Sequence, residues 1–273
     1  MKLSNAIFEM MHALRHRWQA KIRHGVHSPF VFAMQDGVLK NAAMLPMATI
    51  EKCRTKLLHD QRTFERVDLG AGSRKGNSNR SSVAQFAQRS LQKEHPARIL
   101  RGLADAVNAQ NVLELGTALG ITTAYLACDR PNRNVATLEG DPFVLQIAQE
   151  TWQELELKNI TGHCGAFDQL LSTEQLKEHL WDMVLVDGNH TYEATIRYWN
   201  TLKDKITPQG CLIFDDIYWS PGMYRAWCEI SADPKVGITL DYFDFGVVFL
   251  FPRRQKEHYK LRMPTMAPRT KFV

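Results

Sequence analysis

From position 96 onward, short apolar runs alternate with segments of helical period. The runs Asn111–Leu115, Asn134–Leu138, Asn159–His163, Met183–Val186 and Cys211–Phe214 are nearly continuous in their apolar character. Strands covered on both faces by helices read this way, so a parallel sheet is expected. The intervening pattern predicts helices over Pro96–Ala109, Thr122–Cys128, Pro142–Leu155, Tyr192–Leu202 and Pro221–Ile230, with a short one near Asp168–Glu178. Asp141-Pro142 supplies a cap and a first helical residue. The pattern changes after the fifth strand. Val236–Tyr242 and Val247–Phe251 are both β-rich, and Phe243–Gly246 between them is short enough for a hairpin. Residues 96–273 therefore read as a doubly wound α/β domain, mostly parallel, ending in an antiparallel hairpin.

The first 95 residues follow another rhythm and form a helical, basic cap with a flap loop. Ile7, Met11, Leu14, Trp18 and Ile22 recur at helical spacing, giving an amphipathic, basic first helix. Gly25 and Ser28-Pro29 punctuate it, Phe30–Leu39 resumes the helical pattern, and Thr49–His59 predicts a third helix with Thr49 as its cap. Arg62–Leu69 is extended. The loop that follows is rich in Gly, Ser and Asn and carries Arg74, Lys75 and Arg80, so Asp68–Ser82 reads as a flap or as a plain linker.

Composition narrows the class without naming a function. At 273 residues, 44% apolar and 23% charged, the chain is an ordinary globular protein. No apolar run approaches the roughly 20 residues of a membrane span, and the N-terminus lacks the form of a secretory signal, which points to the cytoplasm. Cys53, Cys128, Cys164, Cys211 and Cys228 are odd in number and lack C-x-x-C spacing, as reduced thiols would be. The net charge of +5 gathers at the ends: His12–His27 holds no acid, and from Arg253 onward seven Lys/Arg face only Glu257. Such ends suit an anionic substrate, a membrane surface or nucleic acid, or are simply solvated. No nucleic-acid-binding motif accompanies them.

The chemistry concentrates at strand ends. Glu114-Leu115-Gly116-Thr117-Ala118-Leu119-Gly120 follows the first strand and opens a helix. Its spacing is E-x-G-x-x-x-G, and the dinucleotide pattern G-x-G-x-x-G is absent. Asp68–Ser73, DLGAGS, imitates the turn, but the polar, glycine-broken stretch after it cannot be the required helix. Glu139 ends the second strand, where a carboxylate can accept both hydroxyls of a ribose. Gly165-Ala166-Phe167 follows the third strand, beside the place for an adenine ring. Asp187, with His190 three positions on, ends the fourth strand, and Asp215-Asp216 ends the fifth. In an open α/β sheet these ends share one crevice. Three carboxylates there repel one another unless neutralised, and suit a hard cation such as Mg²⁺.

The ELGTALG turn resembles the first motif of class I S-adenosylmethionine-dependent methyltransferases. The run VDGNHTYEATIRYW…LKDKITPQGCLIFDDIYWSPGM resembles the metal-dependent catechol-type and sugar O-methyltransferases. The likeness covers residues 96–251; GVHSPFVF and DLGAGS before it are similar to bacterial methyltransferases of unassigned substrate. The resemblance implies O-methylation of a small-molecule hydroxyl. It implies S-adenosylmethionine held by Glu114, Gly116, Thr117, Gly120, Thr122, Glu139, Gly165, Ala166, Phe167 and Asp187. It implies a divalent metal on Asp187, Asp215 and Asp216. His190 stands where catechol-type enzymes carry a lysine base, and Asp216 where they carry asparagine, so a metal-free enzyme with His190 as base stays open, as does His190 as a helix cap. Tyr218 and Trp219 are expected to wall the acceptor pocket, with Trp199 and Trp227 in the core. The resemblance leaves a homodimer open. Two alternatives stand beside it: a nicotinamide-dependent oxidoreductase, and a non-catalytic protein binding through its basic cap.

Overall fold

In the computed structural model, which describes residues 2–43, 47–65, 80–251 and 255–263, the alternating pattern becomes alternating structure. The elements in chain order are α1 (Lys2–Gln19), a 3₁₀ turn (Arg23–Gly25), α2 (Pro29–Ala43), α3 (Ala48–His59), β1 (Thr63–Glu65), β2 (Arg80–Ser82), α4 (Val83–Ser90) and α5 (Glu94–Ala106). Then come β3 (Asn111–Leu115), α6 (Ile121–Ala127), β4 (Asn134–Glu139), α7 (Pro142–Glu154), β5 (Ile160–Cys164), α8 (Phe167–Leu170), α9 (Glu174–Lys177) and β6 (Trp181–Val186). The chain continues through α10 (Tyr192–Leu202), β7 (Ile206–Asp215), α11 (Pro221–Ala232), β8 (Ile238–Asp241), β9 (Phe245–Phe249) and β10 (Glu257–Lys260).

Among the described residues, eight strands form one sheet in the order β10-β8-β9-β7-β6-β3-β4-β5. From β5 through β7 the neighbours are parallel. The expected hairpin is present: β8 and β9 pair antiparallel, and β9 inserts between β8 and β7, running against both. Alternation along the inner strands builds two core layers. Val112, Met183, Leu185, Cys211 and Ile213 face one side with α2 and α5. Leu113, Leu115, Val184, Val186, Leu212 and Phe214 face the other with α10 and α11, where Trp199 and Trp227 are buried as expected.

The described residues before position 96 are built into this frame. Val31, Met34, Val38 and Ala42 of α2 share a core layer with α5 and the sheet. The close approach runs through Gly102, where a Cβ would lie 2.7 Å from the Val38 carbonyl oxygen. A charge cluster centred on the buried Asp105 side chain ties α5 to the start of β4: Asp105 accepts from Arg101 Nε at 3.1 Å, Arg130 Nη2 at 3.0 Å and Arg133 Nη2 at 2.7 Å. Met47 precedes α3 without a side-chain cap, so Thr49 lies inside the helix rather than capping it. α4, bounded by a capping box between Ser82 and Gln85, and β10, a short charged edge strand, are elements that the sequence pattern did not announce. DLGAGS and most of the proposed flap lie outside the described residues.

α1 crosses the C-terminal edge of β8. Its His16 Nε2 lies 3.1 Å from Asp241 Oδ1 and 3.0 Å from the Asp241 carbonyl oxygen, and both side chains are buried. Lys21 then exchanges backbone hydrogen bonds with the end of β10: Lys21 N donates to Lys260 O at 2.8 Å, and Arg262 N donates to Lys21 O at 2.9 Å.

Candidate active site

The register decides which side chains meet. Leu115 stands level with Leu138 and with Val186, and Val186 with Phe214. The residues that follow, Gly116, Glu139, Asp187 and Asp215, therefore come together along one edge of the sheet.

The turn after β3 owes its glycines to packing. Gly116 has φ +106°, and a Cβ there would lie 2.0 Å from the Asp187 carbonyl oxygen, so its bareness lets the end of β6 close against the turn. Gly120, φ +76°, leads into α6, and a Cβ would meet the Trp152 indole nitrogen at 2.5 Å. That nitrogen donates to the Gly120 carbonyl at 2.9 Å. Whatever their part in holding a cofactor, both glycines also make room for protein, Gly116 for Asp187 and Gly120 for Trp152.

Beneath the turn, Glu114 is fully buried. Its Oε2 accepts from Thr123 Oγ1 at 2.5 Å and Thr137 Oγ1 at 2.7 Å, while its buried Oε1 has no hydrogen-bond partner. Burial pushes its carboxyl up to about 8, against the opposing pull of the two threonines. Thr117, expected to reach toward a cofactor, shares a 2.6 Å hydrogen bond with Thr137 Oγ1, and Thr122 is buried. Glu114 and Thr117 thus brace the turn from below.

Glu139 is half-buried at the strand end. Its Oε2 accepts from Ala118 N at 2.9 Å and its Oε1 from Asp141 N at 3.0 Å. Burial raises its carboxyl to about 7, and these backbone donors pull the other way. Asp141 fills the cap role separately, its Oδ1 accepting from Phe143 N and Val144 N at 2.9 and 3.2 Å. Gly165 N donates to Glu139 O at 2.8 Å. Ala166 and Phe167 follow, both half-buried. The Phe167 ring lies against Gly188, where a Cβ would sit 2.8 Å from Cε2.

The acidic strand ends lie near His190. His190 Nε2 lies 3.7 Å from Asp187 Oδ1 and 3.9 Å from Asp216 Oδ2. Asp187 and Asp215 are close enough to share a hydrogen bond. Burial and the like charges of Asp187 and Asp216 hold Asp215 well above the usual carboxylate range; burial also raises Asp187, opposed by His190. Gln92 Nε2, from the α4–α5 junction, donates to Asp215 Oδ2 at 3.3 Å. No motif surrounds Gln92, so nothing in the sequence pointed to it. Asp216 adopts φ +55° and donates its backbone N–H to Asp244 O at 2.7 Å. Among the described residues, no three His, Cys, Asp or Glu side chains are gathered as a metal ion would require.

One alternative left open by the sequence resolves here, and one expectation is corrected. Thr191, not His190, caps α10, its Oγ1 accepting from Ala194 N at 3.3 Å. Trp219 stands beside His190, ring centroids 6.2 Å apart. Tyr218 points elsewhere: it is buried, donates to Asp241 Oδ2 at 2.6 Å, and stacks on Phe243 at 4.9 Å and Tyr224 at 5.1 Å. It belongs to the floor beneath α1 rather than to a pocket wall beside His190. All five cysteines are free, and among the described residues no helix is long and apolar enough to cross a membrane.

Comparison with known proteins bears on this geometry. Residues 113–217, from β3 through both acidic strand ends, match the family described as a methyltransferase domain. No curated protein sequence matches the chain. Among solved structures, the S-adenosylhomocysteine-bound methyltransferase PaMTH1 of Podospora anserina is similar with a TM-score of 0.57 at 15% identity, over 83% of this chain and 97% of that one. An O-methyltransferase of Bacillus cereus in complex with S-adenosylhomocysteine gives 0.54 at 18%, over 76% and 92%. TomG, an O-methyltransferase of Streptomyces achromogenes involved in tomaymycin synthesis and solved with S-adenosylmethionine, gives 0.50 at 18%, over 59% and 82%. At such identities the likeness speaks for the fold. The match over residues 113–217 adds a methyltransferase domain and favours methyl transfer over the oxidoreductase and non-catalytic alternatives. The sheet order, the E-x-G-x-x-x-G turn and the domain matched over residues 113–217 together support a methyltransferase of the S-adenosylmethionine-dependent kind.

Proposed function

We propose that the protein methylates a hydroxyl of a small molecule, with His190 taking the hydroxyl proton. The observation that carries this reading is the His190 imidazole flanked by Asp187 and Asp216, on the same sheet edge as Glu139. Residues 96–273 serve as the catalytic domain and residues 1–95 as its cap.

The residues at the edge fit the cofactor chemically. Glu139 offers a half-buried carboxylate whose remaining lone pairs can accept both ribose hydroxyls, and Gly165, Ala166 and Phe167 flank the adenine side. Bound S-adenosylmethionine supplies a methyl group already activated on a sulfonium. The chain's own part is alignment and proton transfer. His190 Nε2 accepts the proton of the acceptor hydroxyl as its oxygen bonds to the methyl carbon and the carbon–sulfur bond breaks. Asp187 and Asp216 stabilise the imidazolium that results. Trp219 offers an aromatic face beside the base.

The three carboxylates add a second element to this reading. The repulsion that raises Asp215 is what a hard cation relieves, and the donors are oxygen throughout. The described side chains are not gathered as a metal ion requires, so Asp187, Asp215 and Asp216 would have to draw together to hold a divalent metal, which would then lower the acceptor hydroxyl's pKa. Dialysis against EDTA is then expected to remove most of the turnover, with Mg²⁺ restoring it and cofactor affinity unchanged. Asp215→Ala is expected to match the EDTA state without rescue. Full activity in EDTA together with an active Asp215→Ala variant would leave deprotonation to His190 alone.

Calorimetric titration tests the cofactor site directly. S-adenosylmethionine should bind and a nicotinamide dinucleotide should not. Glu139→Gln is expected to weaken S-adenosylmethionine binding by about 10- to 100-fold, as befits loss of charged hydrogen-bond acceptance. Burial raises the wild-type carboxyl to about 7 and it accepts best when ionised, so affinity should fall as pH drops through that value. Glu139→Gln should flatten the dependence, and a profile identical to wild type would remove Glu139 from the ribose site.

A further inference from the structure

The apolar stripe of the first helix faces outward. Ile7, Met10, Met11, Leu14, Trp18 and, just past the helix, Ile22 are all exposed, Trp18 to 91% and Leu14 to 64%. At about 100° per residue the five helical positions span an arc of roughly 100°. The opposite side holds His12, His16 and Ala20, and this side faces the protein. His16 meets Asp241, and the His12 ring lies 5.2 Å from Tyr218 and 4.6 Å from Tyr224. The inward face has its own partners and Lys21 is tied to the end of β10, so the stripe cannot turn inward without breaking these bonds.

We propose that this outward face of α1 is a docking surface for an anionic lipid bilayer. Charge selects that occupant. Exposed Arg15 and Arg17 border the stripe on its two sides, exposed Lys21 continues it, and no acidic residue lies between Glu9 and Asp36. A helix with Trp and Leu on one face and bordering cations lies in the plane of an anionic interface, with its apolar face in the headgroup–acyl boundary. Trp18 is of the type that settles at that depth. A second copy of the chain would bring the same cations against the same face, where like charges repel.

Co-sedimentation with vesicles tests this on the full chain. Binding is expected to vesicles containing about one third phosphatidylserine, to weaken as salt rises, and to be much weaker on phosphatidylcholine alone. Leu14→Glu combined with Trp18→Glu is expected to reduce partitioning at least about tenfold while the thermal unfolding curve stays unchanged, since both side chains are exposed. Arg15→Glu combined with Arg17→Glu should abolish the preference for phosphatidylserine. Absence of binding to the anionic vesicles overturns the proposal, as does equal binding by the Leu14→Glu, Trp18→Glu variant. A dimer in sedimentation velocity that this variant splits into monomers assigns the face to a second copy and equally overturns it.

Discussion

Replacing His190 with glutamine is expected to lower the methyl-transfer rate by roughly two to four orders of magnitude, the usual contribution of a positioned base. Glutamine keeps much of the volume and can still donate a hydrogen bond, but it cannot accept a proton and hold it. The substitution leaves α10 intact, because Thr191 caps that helix. It also leaves Glu139 and the β3 turn untouched, so S-adenosylhomocysteine should bind as it does to wild type. Single-turnover rates alongside calorimetry separate the two effects. A rate within a few-fold of wild type, with normal product-analogue binding, would assign the proton to another acceptor and make His190 a wall of the site. The carboxylates predict a companion effect: Asp216→Asn should reduce the rate less than His190→Gln, since Asp187 remains beside the imidazole.

Gly116→Val is expected to be the most damaging single change to the fold at this edge. The residue sits at φ +106°, a conformation that costs a β-branched side chain on the order of 1–3 kcal/mol. The steric clash costs more. The new Cβ would fall 2.0 Å from the Asp187 carbonyl oxygen, which is backbone and cannot rotate away. β3 and β6 must part, and both are inner strands of the sheet. We expect a loss of at least about 4 kcal/mol, read from the urea midpoint. Cofactor binding should fall with it, because Asp187 moves. Gly120→Ala meets side-chain atoms of Trp152 and Ala148 instead and should be milder. An unchanged midpoint for Gly116→Val would mean that β6 does not approach the turn as described.

The parallel strands and the helices between them were legible because burial on two faces leaves a continuous apolar record. The acidic strand ends were legible for a related reason: Asp187, Asp215 and Glu139 each interrupt an apolar run at its last position. Other features left no such record. β10 is a four-residue edge strand of charged and polar residues, held by pairing with β8 rather than by burial. The side that α1 turns to the protein carries histidines and an alanine, so its periodicity revealed an amphipathic helix but not which face was inside. Tyr218 and Trp219 are adjacent and aromatic, yet the turn after Asp216 sends one beneath α1 and leaves the other beside His190. The glycines were legible as a turn, but not the packing they permit, since sequence shows that a side chain is missing and not what lies against the bare backbone.

The attachment of α1 to the far end of the chain also sets an order of folding. His16 and Asp241 are separated by 225 positions, and Gln19 and Lys260 by 241. Contacts between such distant positions form late, because the loop they close must already be ordered. During synthesis, therefore, the first helix is made first and seated last, after the hairpin and the edge strand have emerged. Until then both of its faces are open, and a surface able to hold an amphipathic segment could engage the nascent chain before the sheet is complete.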